Sequence, residues 1–182
     1  MKNPVIVQRK AFKEGDIFAV PLVGGGYGLG LVVRKWGRAY GFLPYFFGPH
    51  IFSTLEEIDP TVVKAENVVY IYTCNTHALL DGRWPVIGRV ANYSHEEWPM
   101  PPLLFGEAPS ENRNGKRIRK WCLYALDDKK MYTTVGDPII VDKWPELFMP
   151  NGATNTESVE GCLRSKIEAG PQKWRSPPRE FD

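Results

Sequence analysis

The sequence lacks the features that would assign it to a membrane protein. No apolar run among its 182 residues approaches the ~18–20 residues that a membrane span needs. Residues 1–16 hold one short apolar run before charge returns, which is not the pattern of a signal peptide. The 23 Lys and Arg residues exceed the 21 Asp and Glu residues by only 2, too few to indicate nucleic acid. We therefore expect a cytoplasmic protein with no membrane partner and no nucleic acid as its main partner.

Cysteine is scarce. The three cysteines, Cys74, Cys122 and Cys162, are too far apart in sequence for a zinc finger or a redox pair. Their odd number and wide separation favour free, buried thiols in a reducing compartment. Cys122 lies in an apolar run, where a thiol is more often an inert core residue than a nucleophile.

Enzyme motifs are missing as well. The sequence has no Gly-x-Ser-x-Gly elbow and no Gly-Lys-Ser/Thr of a phosphate-binding loop. His50, His77 and His95 are far apart, and each is expected to be a surface or hydrogen-bonded histidine rather than a metal ligand. Neighbouring carboxylates such as Asp127 and Asp128 point to opposite faces of a strand, so they do not form a catalytic pair. We expect no catalytic residue, no cofactor and no metal.

A glycine-rich stretch, "VGGGYGLG" at residues 23–30, resembles a phosphate cradle at first sight. A dinucleotide fingerprint needs glycine at its first, third and sixth positions and a helix directly after it. The sixth position falls on Leu29 or Leu31, and the following "LGLVVRKW" alternates like a strand. The stretch is therefore interpreted as the bend of a β-hairpin.

The sequence is rich in residues typical of strands and turns, with 13% aromatics, 17 Gly and 16 Pro. Strands are predicted at residues 17–22, 27–35, 67–74 and 83–90, and a further hairpin is predicted to turn at Asp127-Asp128. Between them, residues 36–48 are interpreted as an aromatic loop and residues 94–115 as a proline-rich loop with extended pieces. Many short strands separated by turns indicate an all-β core.

Helices are few. Ser53 and Glu56 have the spacing of a capping box, which predicts one short helical turn ending near Pro60. Thr154 and Glu157 repeat that spacing before the apolar stripe of the C-terminal helix. The predicted fold is mostly β (α+β), a small bent sheet or SH3-like partly open barrel with a C-terminal helix. Residues 1–170 are predicted to form a single globular domain and residues 171–182 a C-terminal tail.

Two groups of residues are candidates for partner binding. The first is a set of aromatic side chains that is larger than one loop needs: Trp36, Tyr40, Phe42, Tyr45, Phe46 and Phe47. The second is a basic arm in "RNGKRIRK": Arg113, Lys116, Arg117 and Arg119. The aromatic group is equally compatible with a purely core role, and the basic arm with a solvated loop neutralised by the nearby acidic turn.

Three segments carry a resemblance to a known family: "KEGDIFAVPLVGGGYGLGLVVRKW", "RWPVIGRV" and "EEWPMPPLLFG". They resemble the immunity protein 26 group of bacterial polymorphic toxin systems over roughly residues 12–105. The residues that carry the likeness are Gly15, Asp16, Pro21, Leu22, Gly28, Gly30, Trp84, Ile87, Gly88, Trp98 and Pro99. The chain departs from the pattern at "GLGLVV", which has no basic residue after the glycine, and at the insertion-like loop "GEAPSENRNGKRIRK".

The resemblance implies a non-enzymatic immunity protein that binds a cognate toxin domain and blocks its active site. Two alternatives from other classes stay open. One is a nucleic-acid-binding SH3-like β module that uses the basic arm and exposed aromatics. The other is an SH3-like endoribonuclease toxin, whose second strand usually contains Arg-Pro where this chain has only Arg34.

Overall fold

A computed structural model of the chain describes residues 11–36, 41–111, 117–130, 133–141, 149–150 and 153–170. Its strands are Asp16–Pro21 (β1), Tyr27–Lys35 (β2), Phe42–Phe52 (β3), Val68–Ile71 (β4), Thr73–Cys74 (β5), Val86–Arg89 (β6), Leu103–Glu111 (β7), Arg117–Leu126 (β8), Thr134–Val141 (β9), Met149–Pro150 (β10) and Ala153–Thr154 (β11). Its α-helices are His77–Leu80 (α1) and Thr156–Ala169 (α2), and short 3-10 helices span Pro60–Val62 and Ala65–Asn67.

The strands form two sheets within the described residues. The first has seven strands in the order β11-β5-β3-β2-β1-β6, with β4 pairing to β3 in addition. The second has four strands in the order β10-β7-β8-β9. The long pairings are antiparallel, as expected for strands joined by tight turns, and only the two-residue strands β10 and β11 pair in parallel. Neither sheet closes into a barrel over these residues.

The first sheet is buried on both faces. On one face, Phe18 of β1 and Phe46 of β3 pack with Trp84 and with Val159 and Leu163 of α2. On the other face, Leu31 of β2 and Tyr45 of β3 pack with Trp98 and Leu103 and with partly buried residues of β8. Helix α2 and the second sheet thus cover opposite sides of the central strands, which explains why those strands read as continuous apolar runs.

Helix α2 begins and ends with recognisable caps. The Asn155 side chain accepts a hydrogen bond from the Ser158 amide at 2.7 Å, and Gly170 follows the helix with a positive φ of 80°. Its buried stripe consists of Thr156, Val159, Leu163 and Ile167, spaced at three and four residues. The helix therefore lies on the sheet along one apolar face.

The mostly β class with a C-terminal helix is confirmed. The predicted strands at residues 17–22 and 27–35 correspond to β1 and β2, which pair from Ile17 opposite Leu31 to Pro21 opposite Tyr27. The hairpin between β8 and β9 turns at Asp127-Asp128 as expected, and the Asp127 amide bonds to the Thr133 carbonyl at 2.8 Å. The SH3-like comparison and the single-domain division at residue 170 stay predictions, and residues 171–182 lie outside the described residues.

The aromatic loop predicted at residues 36–48 is wrong over its described part, because residues 42–52 form the eleven-residue strand β3. Pro44 misled the prediction, since proline usually ends a central strand. Here it lies opposite Val32, next to the register shift between Val32 and Arg34. A bulge tolerates proline because the ladder is already interrupted there.

The proline-rich loop at residues 94–115 is corrected in the same way. Its second half contains β7, and Pro109 follows a register shift that starts at Gly106. Among its described residues, the loop is confined to the part before Leu103, where Trp98 is buried in the core between the sheets.

Both predicted capping boxes are wrong. Residues 53–59 form bends and a turn, and Glu57 rather than Glu56 accepts a hydrogen bond from the Ser53 amide. Pro60 begins a 3-10 helix instead of ending a helix, with Asp59 as its N-cap. At α2 the capping residue is Asn155, one position after the predicted Thr154, because Asn is the stronger cap in that pair.

Candidate functional site

The described members of the aromatic candidate group lie in the core rather than on the surface. Trp36 is 7% exposed, and the other four are at most 2% exposed: Phe42, Tyr45, Phe46 and Phe47. The Tyr45 hydroxyl donates to the Pro99 carbonyl at 2.6 Å, and burial raises its pKa. This burial supports the core alternative for these five residues, whereas Tyr40 lies outside the described residues.

The described part of the basic arm is located by its backbone pairing with β7. Arg117 pairs with Glu111 and Arg119 with Pro109 at the outer end of the β7–β8 ladder. Arg113 and Lys116 lie outside the described residues. The acidic turn that could neutralise the arm is engaged elsewhere, since Asp128 pairs with Arg34.

A buried polar cluster centres on Arg34, near the end of β2. Arg34 is 1% exposed although it carries a full charge. Its Nε donates to the Asp128 carboxylate at 2.9 Å. Its Nη1 donates to the carbonyls of Val33 and Trp98 at 2.8 and 3.0 Å. The arginine thereby ties three separate segments together: β2, the loop before β7 and the β8–β9 turn.

Tyr93 completes the surroundings of Arg34. Its hydroxyl donates to the Val33 carbonyl at 2.5 Å and accepts from Arg34 Nη1 at 3.1 Å. Burial raises the pKa of Tyr93 to about 12, although the neighbouring Arg34 charge works in the opposite direction. The phenol therefore stays neutral and keeps donating across the physiological pH range. The remaining guanidinium nitrogen, Arg34 Nη2, is buried without a hydrogen-bond partner among the described residues.

His95 joins two carboxylates at the surface of this cluster. Its Nε2 lies 2.9 Å from Glu14 Oε2, and its Nδ1 lies 3.5 Å from Asp128 Oδ2. The other Glu14 oxygen accepts from the Lys35 amide at 2.9 Å. The imidazole thus connects the start of β1, the end of β2 and the hairpin turn, which fits the expectation of a hydrogen-bonded histidine.

A second ion pair lies beside it. Arg89 on the edge strand β6 donates to Asp16 Oδ1 at 2.8 Å, and the other Asp16 oxygen accepts from the Lys13 amide at 2.8 Å. Lys35 Nζ donates to the Phe12 carbonyl at 2.6 Å and lies 4.3 Å from the centre of the Phe12 ring. Charges of both signs therefore surround the open end of the β1–β2 hairpin.

These residues line an open cleft of about 540 Å³, which we term the charged cleft: Lys13, Glu14, Lys35, Arg89, Tyr93, Ser94 and His95. Its size is within the range of protein binding sites for small groups. Its lining comes from the first sheet and from the loop that leads towards the second sheet, and the Arg34–Asp128 pair contacts the lining residues Tyr93 and His95.

The charged cleft is equipped to bind ionic groups. Over the described ranges, no group of three His, Cys, Asp or Glu side chains is arranged to hold a metal ion. The Ser94 hydroxyl accepts from the Glu97 amide at 3.2 Å, which is a turn contact.

Cys74 and Cys122 are buried in the protein interior, and burial raises the pKa of the Cys74 thiol. No helix among the described residues is long and apolar enough to cross a membrane.

The sequence predictions name none of the residues that line the charged cleft as partner-binding residues. The available signal is Arg34, a charge near the end of an otherwise apolar strand. Such a charge either leaves the sheet or is buried with partners. Apart from the Val33 carbonyl, its partners come from 59 to 94 residues away in sequence, so local patterns do not identify them.

Comparison with protein-family models gives a match, described as Immunity protein 26, over residues 13–114. The matched segment is more than half of the 182-residue chain. It contains every residue that lines the charged cleft and ends before Arg117 of the basic arm. Neither the comparison with curated proteins nor the comparison with solved structures gives a match.

Proposed function

The chain belongs to the immunity protein 26 family, and we propose that it binds and neutralises a cognate bacterial polymorphic toxin in the cytoplasm. The family match over residues 13–114 is the observation that carries this proposal. The protein acts by occlusion: it covers the active site of the toxin domain and does no chemistry of its own. A stable complex of this kind buries roughly 1,200–2,000 Å² in total.

One surface of the protein is suited to such an interface. The charged cleft supplies ionic groups, and the β8–β9 turn adjoins it through the contact between His95 and Asp128. Directly after this turn, Val135 is 53% exposed on the outer strand of the second sheet, and Ile139 on the same strand is 67% exposed. Apolar side chains next to charges are the usual composition of a protein interface. We include Arg117 and Arg119 of the basic arm as additional contacts.

Co-expression tests this proposal directly. The toxin domain encoded beside this protein is expressed from an inducible promoter in a sensitive host, with or without this chain. We expect growth to be restored when the protein is present and the purified pair to elute as one complex. An active-site variant of the toxin serves as the harmless control. Absence of both rescue and complex formation with every neighbouring toxin would refute the proposal.

The nucleic-acid alternative receives less support from the structure. Single-stranded nucleic acids are bound by exposed aromatic rings on which bases stack. The five described aromatics of the candidate group are buried and offer no such platform. A salt-dependent mobility shift of RNA or DNA would nevertheless favour this alternative, and growth arrest on expression of this chain alone would favour a ribonuclease toxin.

A further inference from the structure

We propose that the charged cleft binds carboxylate groups from an acidic segment of the toxin. The inference rests on the proposed function and assigns a chemistry to the binding surface. It depends on which hydrogen-bonding groups around the cleft are already occupied within the protein and which remain available.

The acceptors around the charged cleft are occupied. Both oxygens of Glu14 have partners, namely the Lys35 amide and the His95 ring. Both oxygens of Asp16 accept as well, from the Lys13 amide and from Arg89. Asp128 accepts from the buried Arg34 and lies 3.5 Å from His95. Each of these carboxylates is thus already engaged with a cation or an amide inside the protein, which makes it a weaker partner for a further cation.

Donors, in contrast, remain available. The Lys13 side chain is exposed and has no hydrogen-bond or ion-pair partner among the residues that the structure describes. Arg89 is 41% exposed and uses Nη1 for Asp16, while Lys35 uses one of its three ammonium donors for the Phe12 carbonyl. Vacant donors on three cationic side chains fit an anion with several acceptor oxygens.

The balance of charge points the same way. Among the side chains that line the cleft, three are cationic, Lys13, Lys35 and Arg89, and one, Glu14, is a carboxylate; Asp16 compensates Arg89 through an ion pair. Glu96 and Glu97 follow in the chain but do not line the cleft. Among Lys13, Lys35, Arg89, Glu14 and Asp16, one positive charge remains uncompensated. A volume of about 540 Å³ accepts one or two acidic side chains of a protruding loop.

Reversing the charge of Lys13 tests the inference with little risk to folding, because its side chain is exposed and unpaired in the described structure. We expect Lys13→Glu to weaken binding to the neighbouring toxin about tenfold or more at low salt, because like charges then face each other. This difference shrinks at high salt, where the charges are screened. Lys64→Glu is the matched control, since Lys64 is exposed on the segment before β4 and does not line the cleft. We expect it to change binding less than about twofold; equal effects of the two variants would overturn the inference.

A second measurement does not need the toxin. A short peptide of four glutamates is titrated into the isotope-labelled protein, with the same peptide carrying glutamine as control. We expect the amide signals of Lys13, Lys35 and Arg89 to shift with the glutamate peptide only, and the shifts to be lost in Lys13→Glu. Equal shifts with both peptides, no shift, or stronger shifts with a single-stranded oligonucleotide would overturn the inference. If the toxin neither binds nor is neutralised, the proposed function fails, and the peptide still decides the chemistry of the cleft.

Discussion

Each end of the β1–β2 hairpin is held by an arginine, but in different surroundings. At the turn, Arg164 of α2 donates to the carbonyls of Val23 and Gly25. Its side chain is 32% exposed. At the open end, Arg34 is 1% exposed and bonds to Asp128, Tyr93 and two backbone carbonyls. An arginine therefore bonds to backbone carbonyls at both ends of the hairpin, at the surface in one case and in the interior in the other.

The two arginines differ in whether water can replace the hydrogen bonds that they donate. When Arg164 is lost, the exposed carbonyls of the turn can bond to solvent, so the net cost is small. When Arg34 is lost, the Trp98 carbonyl loses a donor inside the protein, whereas the Val33 carbonyl keeps its bond from Tyr93. A buried acceptor without a partner costs its full desolvation. Burial, rather than the number of hydrogen bonds, should decide how much each arginine contributes to stability.

The largest expected effect is that of Arg34→Ala. We expect the free energy of unfolding to fall by about 3 kcal/mol, because several charged hydrogen bonds and the packing of a buried side chain are lost together. Urea denaturation of the variant and the wild type measures this difference. A loss below about 1 kcal/mol would mean that burial does not raise the contribution of this arginine.

A double-mutant cycle separates the contribution of the Arg34–Asp128 ion pair to stability from that of the other Arg34 contacts. Asp128 is 44% exposed, so Asp128→Asn alone should cost only about 1 kcal/mol. The double variant should lose less than the sum of the two single losses, because either change already breaks the same pair. Strict additivity would show that the pair contributes nothing and that the backbone bonds of Arg34 account for its effect.

Two neighbouring glycines at the turn differ in how closely β3 approaches them. Gly25 and Gly26 have φ values of 95° and 76°, so alanine at either position meets a similar backbone strain of about 1–2 kcal/mol. A Cβ at Gly26 would lie 2.8 Å from the Phe52 carbonyl oxygen, whereas a Cβ at Gly25 meets nothing within 4 Å. We expect Gly26→Ala to destabilise the protein by about 1–3 kcal/mol more than Gly25→Ala, as overpacking does.

Thermal and urea unfolding of this matched pair provide the measurement. The entropy that alanine removes from the unfolded chain is the same at both positions and cancels in the difference. Equal stabilities would indicate that β3 moves away from the turn and relieves the contact with Phe52.

The sequence predicts the fold where local signals agree with tertiary packing. Strand β2 is predicted with its observed bounds, since glycines precede it and alternating apolar residues fill it. Strand β3 is missed, because its register shifts and Pro44 break the local pattern. Its run of aromatic residues forms a central strand because both of its faces are covered. Helix α2 covers one face, and the segment that includes Trp98 and Leu103 covers the other.

The candidate site is harder to predict for a physical reason. Lys13, Glu14 and Lys35 are ordinary polar residues in the sequence, and no spacing between them indicates a cleft. They converge with His95 because β1 and β2 pair and the loop after β6 returns across their open end. The aromatic candidates show the reverse case, since a strong local signal corresponds to core packing.

The smallest expected effect is that of Arg164→Ala, and it should be local. We expect a loss of about 0.5–1 kcal/mol in global stability, since the bonds to Val23 and Gly25 are exposed. Hydrogen exchange should accelerate at the Leu22 and Gly25 amides, which bond within the turn. The Lys35 amide, which bonds to Glu14 at the other end of the hairpin, should exchange as in the wild type. Arg164→Lys is the control that keeps the charge but cannot reach both carbonyls with a planar fork. If exchange changed equally at both ends, the two arginines would act on one cooperative unit rather than on separate ends of the hairpin.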